Sequence, residues 1–185
     1  MRIETKRLIL REWKESDIDF VVDGLNDFNV AKNLVVPYPY TKKDAIDFIS
    51  KHLENTNNDY HFAVVQKKDN KVVGGTSLSK DDKGIFHGGI WLHRNFQGLG
   101  YGTEIFTARA KFAFDYLKLN ELENGFFSFN ERSKKMQLKI GYKIVGKQER
   151  YCPALKDNTE ETKTKLSKKD FEKYYNSIDF EFLVE

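Results

Sequence analysis

Residues 94–104 read Arg-Asn-Phe-Gln-Gly-Leu-Gly-Tyr-Gly-Thr-Glu, directly after an apolar run and directly before an amphipathic pattern of helical period. Gly98, Gly100 and Gly102 alternate through the segment. Glycine tolerates positive φ and carries no Cβ, so a ligand can approach its backbone closely. Successive free N–H groups at a helix start form an anion-binding concavity, and the helix dipole adds to it. The segment is therefore a candidate phosphate or pyrophosphate loop; the plainer reading is a tight strand-to-helix turn. A P-loop needs Lys and then Ser or Thr after its last glycine, but Gly102 is followed by Thr103 and Glu104. A dinucleotide fingerprint needs G-x-G-x-x-G and an acidic residue about 20 positions on. Glu121 and Glu123 lie near that distance, but the glycine spacing here is G-x-G-x-G. A third type, Gln/Arg-x-x-Gly-x-Gly/Ala, is matched at every fixed position by Gln97 to Gly102.

That third pattern resembles the pyrophosphate loop of the GNAT family of acyl-CoA N-acyltransferases. Further segments follow in the family's order. Thr5-Lys6-Arg7-Leu8-Ile9-Leu10-Arg11, then Ser16-Asp17, is similar to the opening of the Rim-type branch, which includes ribosomal-protein N-acetyltransferases. Pro37-Tyr38-Pro39-Tyr40-Thr41 resembles the approach to that branch's second helix, and Gly89-Ile90-Trp91-Leu92 its central strand. Asn130-Glu131-Arg132-Ser133, closing at Gly141-Tyr142, resembles its Asn-x-x-Ser helix. The likeness spans residues 5–150. It implies an α+β fold with a central, mostly antiparallel mixed sheet, splayed at a cofactor cleft and flanked by helices.

Composition fits one domain over residues 1–185, with a core at 5–166 and a C-terminal helix and tail at 167–185. Hydrophobic content of 39% and charged content of 32% exclude disordered and membranous classes. No apolar run nears the roughly 20 residues of a membrane span, and no signal-peptide core is present, so a cytoplasmic address is expected. The single cysteine, Cys152, excludes an internal disulfide framework and reads as a buried or incidental thiol. With a net charge of +3, the lysine-rich stretches read as solvated faces, and no nucleic-acid partner is expected. No metal site is expected, and a homodimer is left open.

Periodicity places strands at residues 8–11, 61–66, 72–78, 85–93, 122–129, 142–151 and 159–166. Ser16 with Asp19, and Thr41 with Asp44, carry helix-start spacing. The second of these helices has Ala45, Ile46, Ile49 and Leu53 as its apolar stripe. A helix after the glycines buries Phe106, Ala110, Ala113 and Leu117, and a shorter one at 131–140 lies between Asn130 and Gly141. Ser167 and Asp170 open a last helix, and the apolar tail at 178–184 has no assigned place.

The resemblance implies chemistry: acetyl transfer from acetyl-CoA to a primary amine, either a peptide N-terminus or a small amine. It implies cofactor contacts from Ile90, Trp91 and Leu92, from Gln97, Gly98, Leu99, Gly100, Tyr101, Gly102 and Thr103, and from Asn130 and Ser133. The oxyanion donor is expected to be the N–H of Trp91 or Leu92. The family's usual acid and base positions fall on Gln137 and Gly125, which supply neither group. Ser133 becomes the candidate acid; His87, Glu149, Glu123 and ordered water become the candidate bases. The acceptor pocket is expected at the first two helices, residues 33–40 and the strand after Gly141, with Tyr38, Tyr40, Tyr142 and Tyr151. Asp157, Glu160 and Glu161 read as a charged hairpin. Few local carboxylates disfavour a polycation. Two other readings stand beside the transferase: an acyl-CoA-binding or sensor module that has lost catalysis, and a nucleotide-binding protein using the same loop.

Overall fold

A computed structural model describes residues 1–56 and 58–185. The strands are β1 (Arg2–Thr5), β2 (Leu8–Arg11), β3 (Asp59–Gln66), β4 (Lys71–Lys80), β5 (Phe86–His87), β6 (Ile90–Leu92), β7 (Glu121–Phe127), β8 (Lys143–Cys152), β9 (Asp157–Ser167) and β10 (Phe182–Val184). The helices are α1 (Ile18–Leu25), α2 (Phe28–Ala31), α3 (Lys42–Lys51), α4 (Tyr101–Lys111), α5 (Glu131–Ile140) and α6 (Lys168–Tyr175). The sheet runs β10-β1-β2-β3-β4-β5-β7-β9-β8, with β6 also on β4. Its parallel contact is β5 with β7, through the single pair His87 and Glu123. The expected mixed, mostly antiparallel sheet is what forms.

The two faces of the sheet are covered separately. On one face α4, α5 and α6 pack Ile105, Phe106, Ile140 and Phe171 against Leu10, Val64 and Leu122. On the other, α1 and α3 pack Val21, Leu25, Ala45 and Ile49 against Trp13 and Ala63. Strand alternation assigns the neighbours Ala63 and Val64 to opposite faces. Ile46 and Leu53, read as part of the α3 stripe, are exposed instead.

Capping explains where most helices start. Thr41 accepts from the Asp44 N–H while Asp44 accepts from the Thr41 N–H. Ser167 accepts from the Asp170 N–H at the start of α6. Before α1 the organising residue is Asp17 rather than Ser16. Its carboxylate accepts two bonds from Arg11, at 2.7 and 2.9 Å, and one from the Lys14 N–H, so a 3-10 turn at Glu15–Asp17 precedes the helix.

Three elements were not expected from the sequence: β1, the one-turn α2, and β10. The unplaced tail becomes β10 by pairing antiparallel with β1, Ile3 opposite Val184. The single strand expected at 85–93 is two short strands, broken at Gly88-Gly89. A Cβ on Gly88 would lie 2.1 Å from the Ser77 carbonyl and 2.7 Å from Arg109 Nη1. The chain kinks there over a buried guanidinium.

Candidate functional site

The kink opens the sheet. β5 still touches β7, but β6 stays with β4 while β7 continues along β9. A V-shaped cleft results, with His87 and Glu123 at its closed end and β6 and β7 as its arms.

Hydrogen-bond phase decides which backbone groups face the cleft. The Ser77 N–H bonds the Gly89 carbonyl at 3.0 Å and the His93 N–H bonds the Val73 carbonyl at 3.0 Å. In an antiparallel ladder bonded pairs alternate, so between those two pairs Trp91 is bonded to Gly75. Ile90 and Leu92 therefore turn their N–H and C=O groups away from β4, into the cleft. The Leu92 carbonyl is taken by Gln97 Nε2 at 3.0 Å. By the same rule the Ser128 N–H to Glu160 carbonyl bond turns Gly125 and Phe127 of β7 toward the cleft. This corrects the expectation for Trp91, whose backbone belongs to the sheet. Its ring stacks on Phe20 with centroids 5.9 Å apart and lies over Gly24, where a Cβ would come within 2.6 Å of it.

Beyond Leu92 the chain reaches the glycine loop. Gly98 and Gly100 adopt φ of +79° and +81°, left-handed values that side chains strain to reach. Nothing would meet a Cβ on Gly98 within 4 Å, so the loop is open above that residue. The first helical bond runs from the Glu104 N–H to the Gly100 carbonyl, leaving the N–H groups of Tyr101, Gly102 and Thr103 outside the α4 ladder. Gly102 serves packing as well, since a Cβ there would lie 3.0 Å from Met136 Sδ on α5.

The loop is braced from behind. Glu104 accepts from Thr5 Oγ1 at 2.6 Å, from the Arg7 N–H at 3.0 Å and from Arg7 Nε at 2.7 Å. Arg7 Nη1 also donates to the Leu99 carbonyl at 2.9 Å. The Thr-Lys-Arg-Leu opening of the sequence thus clamps the loop from the turn between β1 and β2. Gln97 donates to Leu92 and accepts from Arg132 Nη1 at 2.9 Å, joining β6 to α5. Leu99 and the Gln97 side chain are scaffold for the loop; the Tyr101 hydroxyl donates to buried Gln66 at 3.1 Å.

The far wall is the start of α5. Asn130 Oδ1 accepts from the Ser133 N–H at 3.1 Å and caps the helix. Its Nδ2 has no hydrogen-bond partner among the described residues. Gln137 is fully buried: Nε2 donates to Ser133 Oγ at 3.0 Å, while Oε1 accepts from Thr164 at 2.6 Å. An amide held in this way leaves the Ser133 hydroxyl proton free to be donated.

At the closed end, His87 Nε2 lies 2.9 Å from Asp81 Oδ2. A carboxylate only accepts, so Nε2 carries a proton, and in the neutral ring the lone pair is on Nδ1. That bond from His87 is the largest cause holding the Asp81 carboxyl below the usual carboxylate range. Glu123 is beside it, engaged by Lys165 at 3.2 Å. Glu149 is not at the cleft: it is exposed and pairs with Glu160, on the sheet face opposite Gln148 and Glu161. Sequence reasoning passed over Glu161. Its Oε1 would be 2.8 Å from a Cβ on Gly125, and it is held by Arg150 at 2.8 Å and Gln148 at 2.5 Å. A carboxylate from β9 thus fills the space that glycine leaves on β7. Of the expected pocket tyrosines, Tyr40 is buried against α3, Tyr142 is 2% exposed in the core against Phe106, and Tyr151 is exposed.

The family model described as an acetyltransferase (GNAT) domain matches residues 7–143. A protein of Bacillus subtilis (strain 168), named uncharacterized N-acetyltransferase YnaD, is 26% identical over 147 residues, covering 79% of this chain and 85% of that one. The Vibrio cholerae spermidine N-acetyltransferase structure, in complex with CoA and spermine, superposes with a TM-score of 0.75 at 16% identity, covering 89% of this chain and 97% of that chain. The Vibrio fischeri ribosomal-protein-S5-alanine acetyltransferase structure does so with a TM-score of 0.75 at 19% identity, covering 92% and 98%. At these identities the two structures speak for the fold alone. Among the described residues, no helix is long and apolar enough to cross a membrane.

Proposed function

Because this chain belongs to the GNAT acetyltransferase family, we propose that it transfers acetyl from acetyl-CoA to a single primary amine on a peptide N-terminus or a small molecule. The observation carrying this reading is the phase of β6, which directs the N–H and C=O of Ile90 and the N–H of Leu92, unused by the sheet, into a cleft that leads to the open start of α4. The pyrophosphate sits on the N–H groups of Gly98, Gly100, Tyr101, Gly102 and Thr103, where the helix dipole favours an anion. The pantetheine arm runs along β6 as an added strand, bonding Leu92 and Ile90, with Asn130 Nδ2 facing it from α5. This directs the thioester toward the closed end, so the Ile90 N–H rather than that of Trp91 stabilises the oxyanion.

The amine nitrogen attacks the thioester carbonyl carbon. His87 Nδ1 accepts the amine proton, with Asp81 fixing the tautomer. When the C–S bond breaks, the Ser133 hydroxyl donates a hydrogen bond to the leaving thiolate, which takes its proton from solvent while His87 returns the amine proton to solvent. Glu161 borders the acceptor side, but Arg150 already neutralises it and Lys165 neutralises Glu123. The cleft therefore offers little free negative charge to a polycation and suits one amine.

The test is release of free thiol from acetyl-CoA with an amine panel that includes polyamines and peptides of differing N-terminal residue. Turnover with single amines or peptides supports the proposal. Acetyl-CoA binding without turnover on any amine would leave an acyl-CoA-binding module, and absence of CoA binding would remove the loop assignment.

A further inference from the structure

The face of the sheet that carries His87 also carries a cluster that the transfer chemistry does not use. His52 closes α3, Asp59 opens β3, and His61 follows two residues later on the same face. One ligand atom from each lies within 4.8 Å of the others. We propose that His52, Asp59 and His61 form a binding site for a divalent transition-metal ion of the Zn²⁺ class.

The tautomers make the case. His52 Nδ1 lies 2.7 Å from the Phe48 carbonyl, which can only accept, so the proton is on Nδ1. The Nε2 lone pair of the neutral ring then faces Asp59 Oδ2 at 3.6 Å. Two electron-rich atoms confront each other across a gap suited to a cation. Zinc binds imidazole nitrogen at about 2.0–2.1 Å and carboxylate oxygen at about 2.0–2.2 Å, so two such ligands on one ion stand at most roughly 4.2 Å apart. The 3.6 Å pair falls within that limit. On the other side His61 Nε2 lies 2.7 Å from Asp59 Oδ1. Moving the His61 proton to Nδ1 frees that nitrogen as a second donor, and the ion takes the proton's place beside the carboxylate.

The surroundings are those of a prepared site. Ser79 Oγ donates to Asp59 Oδ1 at 2.5 Å and orients the carboxylate, as the Phe48 carbonyl orients His52. The two imidazoles lie with centroids 3.7 Å apart, and the Phe48 ring packs 4.7 Å from His52 and 5.7 Å from His61. His52 is the C-cap residue of α3, where the negative end of the helix dipole favours a cation. Asp59 pairs with Ser79, and Ser79 with His87. Two strand spacings make the ion roughly 10 Å from His87. It would pin the α3–β3 connection at the edge of the acceptor face rather than take part in acyl transfer.

The test uses the untagged, chelator-treated full chain. Titration with Zn²⁺ against a chromophoric chelator is expected to show one equivalent bound, and Co²⁺ is expected to produce visible d–d absorption from imidazole ligation. The melting temperature should rise with added Zn²⁺. His52→Ala, His61→Ala and the near-isosteric Asp59→Asn should each weaken binding at least tenfold. His93→Ala, which removes a histidine outside the cluster whose ring pairs with Asp23 and Asn95, should leave it unchanged. No stoichiometric uptake by the wild-type chain would overturn the proposal. So would uptake that survives both His52→Ala and His61→Ala. The wild-type Co²⁺ spectrum decides the matter even if a variant fails to fold.

Discussion

Replacing Gly100 with Ala tests the anion loop, because two separable effects meet at one residue. Gly100 holds φ at +81°. An L-residue in left-handed conformation costs about 1–2 kcal/mol. The new Cβ would lie 3.3 Å from Arg7 Nη2. Arg7 is 45% exposed, so its guanidinium can yield a few tenths of an ångström, and strain rather than collision sets the loss. For a chain of this size about 2–4 °C of melting temperature accompanies each kcal/mol. The expected fall is therefore about 2–8 °C by calorimetry. Relief of the strain would rotate the neighbouring peptide groups and misdirect the N–H groups at the α4 start. Acetyl-CoA affinity, read by calorimetric titration, should drop at least tenfold, equivalent to about 1.4 kcal/mol. Gly146→Ala is the control: it has no positive φ and open space around its Cβ, so stability should hold or rise. An unchanged melting temperature in Gly100→Ala would refute the strain argument. A lowered melting temperature with unchanged acetyl-CoA affinity would refute the loop's role.

Three further predictions follow from the same geometry. His87→Ala should lower turnover roughly 10²- to 10⁴-fold with acetyl-CoA affinity nearly intact; near-normal turnover would move the base to Glu123 or water. Asn130→Ala should lose about 1 kcal/mol of stability with the cap and also bind acetyl-CoA more weakly; an unchanged dissociation constant would leave capping as its only role. Burial, with Asp44 adding, pushes the Tyr40 hydroxyl up to about 12. A raised folded-state pKa stabilises fully below the ordinary value near 10. Urea unfolding should therefore show stability lost between pH 10 and 12, with a shallower loss in Tyr40→Phe and a remainder from Tyr60, which burial also raises. Equal slopes in the two proteins would exclude Tyr40.

What could be read from sequence was local. The glycine loop, the Thr41–Asp44 box, and the Asn130 and Ser167 caps each depend on groups a few residues apart, and each stands where the pattern put it. What could not be read was settled by distant partners. The tail becomes a strand only because β1 has a free edge. Glu161 looked like one charge in a hairpin, but β9 delivers it over Gly125 on the neighbouring strand. Trp91 and Ile90 are adjacent in a single motif. Only the phase of pairing with β4 gives one to the sheet and the other to the cleft.

The splay itself rests on such a distant partner. Arg109 is 3% exposed, and among the described residues its hydrogen bonds go to two carbonyls and, at 3.5 Å, to the Tyr142 hydroxyl rather than to a carboxylate. Burying an unpaired guanidinium is expensive, and its Nε has no hydrogen-bond partner. The compensation comes from carbonyls: Nη1 donates to Gly89 at 3.2 Å and to Ser77 at 3.4 Å, while the guanidinium lies 4.1 Å from the Phe106 ring centroid. The Gly89 carbonyl belongs to the kink and the Ser77 carbonyl to β4 facing it, and Gly88 has no Cβ to block the guanidinium's approach. Glycine and arginine therefore work as one device. The missing side chain lets the cation reach the backbone, and the cation holds the backbone where β6 leaves β7. A sequence pattern that sees an unbroken apolar strand at 85–93 cannot register this. The wedge that breaks the strand is on α4, some twenty residues downstream.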